Sequence, residues 1–146
     1  MTADAWDGFV GAVVRISLPD GDRRLEPRPP GAAGQFPFDG PVHIITAYNP
    51  AGVEAEAAAN EASHESLAAA LRGHSTFATV GSAPDGSMAE PGFGVLGLPL
   101  EDAIVFGRRF GQAAVYRWTE EALTIVGVDD PRHVEMGWAL VRLAGR

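Results

Sequence analysis

Val42-His43-Ile44-Ile45-Thr46-Ala47-Tyr48-Asn49-Pro50 is the stretch on which the reading of the fold turns. Its first half is apolar and β-branched, the composition of a buried strand. Its second half is polar and stops at proline, which has no N–H with which to continue a ladder. Asn49 is placed to cap the first amides of a following helix. An alanine-rich segment, residues 53–72, comes next and ends at Gly73, so a helix is predicted there. Val53, Ala57, Asn60, His64, Leu67 and Leu71 recur at spacings of three and four and share one helix face. The later half of that face is apolar, whereas the earlier half carries Asn60 and His64.

Working outward, residues 76–81 and 92–98 read as strands joined through Ala83-Pro84-Asp85-Gly86-Ser87 into a hairpin. Residues 99–110 read as a helix closed by Gly111, and residues 113–118 and 123–128 as two further strands. Asp129-Asp130-Pro131 has the form of a helix start, which makes residues 134–143 a short final helix packed through Trp138 and Val141. Toward the N-terminus, residues 3–11 suit a short helix and residues 12–18 a strand, ended by Pro19-Asp20-Gly21-Asp22. Residues 23–40 carry Pro27, Pro29, Pro30 and Pro37 and are expected to be irregular, anchored by Phe36 and Phe38.

From residue 42 the order is therefore strand, helix, strand, strand, helix, strand. It predicts an α+β fold: a ferredoxin-like split βαβ sheet (βαββαβ) with an extra N-terminal strand, an extra C-terminal strand and a short C-terminal helix. Residues 1–146 form a single domain in this reading, with the core motif in 41–128, an N-terminal strand and irregular segment in 1–40, and the last helix in 129–146. In such a topology the end of the first strand, the start of the first helix, the start of the third strand and the end of the second helix meet at one end. The polar residues scattered through the chain would then share one rim.

Composition narrows the function classes. Cysteine is absent, which removes disulfides and thiolate chemistry and fits a cytoplasmic location. Lysine is absent as well, so neither a Schiff base nor a P-loop lysine is available. A net charge of −8 argues against nucleic acid as a partner. No apolar run is long enough for a membrane span, and Met1-Thr2-Ala3-Asp4 lacks the basic start of a secretory signal. His43, His64, His74 and His133 have no metal-ligand spacing, so neither a metal nor a cofactor is expected.

Thr46-Ala47-Tyr48-Asn49-Pro50, Asn60, Glu90-Pro91 followed by Phe93, and Gly107-Arg108-Arg109-Phe110-Gly111-Gln112 together resemble a bacterial family known as domain of unknown function 3293. The resemblance spans residues 41–126 and implies a shared fold and a shared site, with no established activity attached. Gly92 stands where that family is expected to favour serine.

Among the residues of the rim, Glu90 is the candidate acid or base, with a pKa held down by nearby arginines, and His64 is a candidate general base. Tyr48, Asn49, Asn60, Arg108, Arg109 and Gln112 are candidate ligand-binding groups, of which only one of the two neighbouring arginines can face the site. Two readings follow. One is a small-molecule-binding protein or small enzyme acting on an anionic or amide-bearing metabolite. The other is a non-catalytic interaction module or homodimer in which the same residues form a structural hydrogen-bond network.

Overall fold

The run at residues 42–46 is apolar throughout because both of its faces are buried. Val42 and Ile44 point into one core with Val14, Ile16, Leu25, Trp118, Leu123, Ile125 and Trp138. Ile45 points into another with Leu67, Leu71, Val95, Ala103 and Val115. A computed structural model describes residues 6–143. A helical turn, α1 (Asp7–Val10), leads into strands β1 (Val13–Leu18), β2 (Gly21–Arg28) and β3 (Val42–Thr46). A 3₁₀ turn (Pro50–Gly52) and helix α2 (Ala57–Ala70) connect to β4 (Ser75–Ser82) and β5 (Glu90–Leu96). Helix α3 (Leu100–Arg109) connects to β6 (Ala114–Trp118), β7 (Leu123–Gly127) and β8 (His133–Arg142).

The strands close into a barrel in the order β1-β2-β8-β7-β6-β3-β5-β4, and β4 pairs back onto β1. Every pairing is antiparallel. The open ferredoxin-like sheet expected from the order of elements is therefore wrong: the chain forms a closed eight-stranded antiparallel barrel with few helices. Closure depends on pairings such as Val14 with Gly81, far apart in sequence, which no local pattern announces. It also removes the two unpaired edges an open sheet would leave.

Two further expectations fail with it. Residues 134–143 are not a helix but most of β8, because Met136 and Trp138 alternate inward with period two. The Asp129-Asp130-Pro131 signal serves a turn instead, in which Arg132 N donates to Asp130 Oδ1 at 2.9 Å. Residues 23–40 are irregular only in their later part, since Gly21–Arg28 is a strand despite Pro27. Of the expected N-terminal helix, residues 3–5 lie outside the described residues.

Four antiparallel steps separate β2 from β3, so both run the same way and residues 29–41 must travel the length of the barrel. Phe36 and Phe38 hold that return segment to the core. Phe36 meets Trp118 edge-on at 5.1 Å and Phe38 stacks on Phe77 at 5.2 Å. Helices α2 and α3 cover the outer face of β3, β5 and β6, which forms the second core. Within the barrel, β3 and β4 point one way and β5 and β6 the other. The end of β3, the start of α2, the start of β5 and the end of α3 consequently share one rim.

Candidate functional site

Asn49 is the hub of the rim. It holds a left-handed conformation (φ 48°, ψ 62°) that asparagine tolerates better than most residues. Its Oδ1 accepts from Ala55 N at 3.0 Å and from Asn60 Nδ2 at 2.8 Å. Its Nδ2 donates to Glu90 Oε2 at 2.7 Å, and its backbone N donates to Asn60 Oδ1 at 2.9 Å. Asn49 makes no side-chain cap on the 3₁₀ turn it precedes; it ties β3 to α2 and β5 instead. Asn60, buried in α2, finds partners for both ends of its amide, which explains a polar residue on an inward face.

The Phe-Gly-Gln run closes the other side. Buried Gln112 donates from Nε2 to Tyr48 O at 3.0 Å and to Phe110 O at 3.3 Å. Gly111 has φ +72°, and a Cβ there would lie 2.9 Å from Pro50 Cβ, so only glycine fits without strain. Ala51 N donates to Gly111 O at 2.8 Å across the same junction. On the inner side, Thr46 Oγ1 donates to Pro91 O at 2.7 Å and accepts from Tyr48 N at 3.1 Å. A Cβ at Gly92 would sit 2.4 Å from Ile45 O, so the close approach of β5 to β3 accounts for glycine after Glu-Pro.

Glu90 shares its parity along β5 with Gly94, which lies against the Phe77 ring, and with Leu96, so it projects into the mouth of the barrel. Burial raises its pKa, and the Asn49 bond pulls only partly the other way. The expected lowering by arginines does not occur, because neither arginine reaches it. Arg108 Nε bonds Asp129 Oδ1 at 2.8 Å, and the Arg109 guanidinium lies over the Phe110 ring at 5.4 Å. Tyr116, buried inside the same mouth, donates to Phe9 O at 2.8 Å, and burial together with the Glu90 charge raises its pKa.

His64 stacks on Phe93 with ring centroids 4.7 Å apart and meets Tyr48 edge-on at 6.0 Å. Phe93 and Glu90 differ by an odd number of strand positions, so the two candidate proton carriers lie on opposite faces of β5. They do not form a catalytic pair. The rim thus gathers Tyr48, Asn49, Asn60, Glu90 and Gln112, and leaves out Arg108, Arg109 and the His64 ring.

A second polar cluster escaped the sequence reading. His43 is fully buried on the outer face of β3, beneath α3. Arg117 NH1 lies 2.8 Å from its Nε2. A guanidinium can only donate, so Nε2 accepts, the ring is neutral and its proton sits on Nδ1. Burial and then the Arg117 charge push the His43 pKa down to about 4, with the Leu98 backbone weakly opposing. Among the described residues His43 Nδ1 has no hydrogen-bond partner of ordinary geometry. The signal was present in the sequence, because Val-His-Ile-Ile and Val-Tyr-Arg-Trp each set one polar residue at an outward position of a buried strand.

Two clefts lie near these clusters. One of about 460 Å³ is lined by Leu100, Ile104, Arg117, Thr124, Val126 and the turn at residues 130–133. The other, of about 380 Å³, lies between Trp6, Ala51, Gln112, Asp129 and Arg132. Neither is lined by Glu90, Asn49 or Asn60. Among the described residues no group of three or more potential metal-ligating side chains converges, and no helix is long and apolar enough to cross a membrane.

Comparison with the curated proteins and with the solved structures gave no match. Residues 45–115 match the model of a family described as "Protein of unknown function (DUF3293)". The matched segment contains every residue of the rim network and neither His43 nor Arg117. The chain resembles that family over the segment that runs from the end of β3 through α2, β4, β5 and α3 to the start of β6.

Proposed function

We propose that this protein binds a small molecule without transforming it, and that the rim network is a structural clasp for the barrel. The observation that carries this reading is the closed hydrogen bonding of Asn49 and Asn60, which satisfy each other and leave no polar group of Asn60 turned to a ligand. Both clefts fall in the volume range common for ligand sites, about 300–1,000 Å³. A thermal-shift screen against nucleotides, amino acids, organic acids and amines tests it, with Glu90→Gln and Asn60→Ala run alongside. A ligand at about 100 times its Kd adds roughly 2.7 kcal/mol of stability. The reading expects a hit whose upward shift is the same in wild type and Glu90→Gln, and is retained by Asn60→Ala from a lower starting temperature. No hit in any class would end the binding reading and leave an interaction module.

A second reading has one observation in its favour. Glu90 is a half-buried carboxyl with a raised pKa, and among the described residues only one of its oxygens takes a hydrogen bond. Such a group suits proton transfer at a barrel mouth. A ligand shift abolished by Glu90→Gln would favour it over the clasp.

A further inference from the structure

Arg117 is half-buried on the outer face of β6, and among the described residues its only hydrogen-bond partner is the neutral His43. It forms no ion pair within 4 Å there, although Arg132 in the same cleft is matched to Asp130, and Arg108 on α3 to Asp129. A guanidinium carries five donors and a fixed charge, and a partly desolvated one is held at a cost unless an anion joins it. Beside Arg117 the cleft is lined by Leu100 and Ile104 from α3 and by Thr124 and Val126 from β7, with Asp130, Arg132 and His133 in the turn that completes it. Asp130, at the far end, is taken up by Arg132 at 3.1 Å. From Thr124 to Gly127 the floor of the cleft runs about 10 Å along the strand.

We propose that the cleft beside Arg117 binds a carboxylate with an unbranched apolar tail. The carboxylate forks onto the Arg117 guanidinium and the tail lies between α3 and the outer face of β7. Two features make the class specific. The planar fork of arginine matches two carboxylate oxygens at once, and His43 holds it in place by occupying one terminal nitrogen. Apolar walls reward a tail and give nothing to a polar body such as a sugar or a nucleotide. The inference rests on the binding reading above and assigns both the cleft and the ligand class.

Octanoate is the probe, with octanol and octylamine as neutral and cationic counterparts of equal length, titrated by calorimetry into the full chain near neutral pH. Octanoate is expected to bind at least tenfold more tightly than either. Arg117→Met should weaken octanoate tenfold or more and leave octanol unchanged. Thr124→Glu is the second variant, because Thr124 lies directly opposite Arg117 on β7 and a glutamate there supplies the missing counter-ion. Glu135 faces the same position from β8, so the new pair with Arg117 is partly offset and the melting temperature should stay near wild type, while octanoate binding is abolished, which separates loss of the site from loss of the fold. Octanoate binding that is absent, equal to that of octanol, or unchanged in both variants overturns the proposal. If that happens while another compound class stabilises the protein in the screen, this inference fails and the binding reading stands. If no class does, both fall.

Discussion

Two buried polar clusters sit on the same barrel and are finished differently. At the rim, Asn49 and Asn60 bond each other, Gln112 bonds the backbone of Tyr48 and Phe110, and the two glycines beside them let the chains touch. On the outer face, His43 and Arg117 share one contact and leave over a charge, with the buried His43 N–H meeting only the Leu98 backbone at less than ordinary geometry. Polar groups in a low-dielectric setting rigidify when satisfied and are unstable when not. The difference teaches where to look for a ligand. A closed network holds a structure together, whereas an open one has a place for something else, even though the closed one is what catches the eye in sequence.

The comparison breaks most visibly at Gly111. Gly111→Ala adds a Cβ 2.9 Å from Pro50 at φ +72°, and should cost about 3 kcal/mol from backbone strain and overpacking together. That is a fall of roughly 6–12 °C in melting temperature for a domain of this size. A smaller effect is expected from pH on the outer face. The folded pKa of His43 lies near 4, below its ordinary 6.5, so the unfolded chain binds the extra proton as pH falls through that window. Between pH 7 and pH 5 wild type should lose about 2 kcal/mol from this group alone, a loss missing in His43→Gln, measured by urea unfolding at both values. The smallest effect belongs to Arg108. Its ion pair with Asp129 is exposed on both sides, 53% and 71%, so Arg108→Ala should move stability by less than about 0.5 kcal/mol.

How far the sequence could be read follows the same division between local and distant causes. β4, β5, β6 and β7 and both crossover helices were legible because β-branched runs, alanine content and Gly stops are local signals. So was the meeting of Tyr48, Asn49, Asn60, Glu90 and Gln112, since it depends only on the direction in which each connection runs. β2 was hidden because just one of its residues, Leu25, is buried, with Pro27 and charged neighbours around it. β8 was mistaken for a helix because Asp-Asp-Pro precedes it and its apolar residues satisfy more than one spacing. Barrel closure follows from neither, since the pairing of β1 with β4 joins residues far apart in sequence, such as Val14 and Gly81. At the site, strand parity separated His64 from Glu90, and the reach of Arg108 to Asp129 took it off the rim. Those are facts about side-chain direction, which a list of polar residues does not contain.

The central claim is that the rim is a clasp, and a double-mutant cycle tests it most directly. Asn49→Gly keeps the left-handed backbone and deletes the side chain, and Asn60→Ala deletes its partner. Urea unfolding of wild type, both single variants and the double variant gives the coupling between them. A clasp requires each single variant to lose about 1.5–3 kcal/mol and the pair to be coupled by at least about 1 kcal/mol, since Asn49→Gly removes the acceptor of buried Asn60 Nδ2 and Asn60→Ala removes the acceptor of Asn49 N. Single losses below about 0.5 kcal/mol that simply add would contradict the claim and return Asn49 and Asn60 to the list of ligand-binding groups.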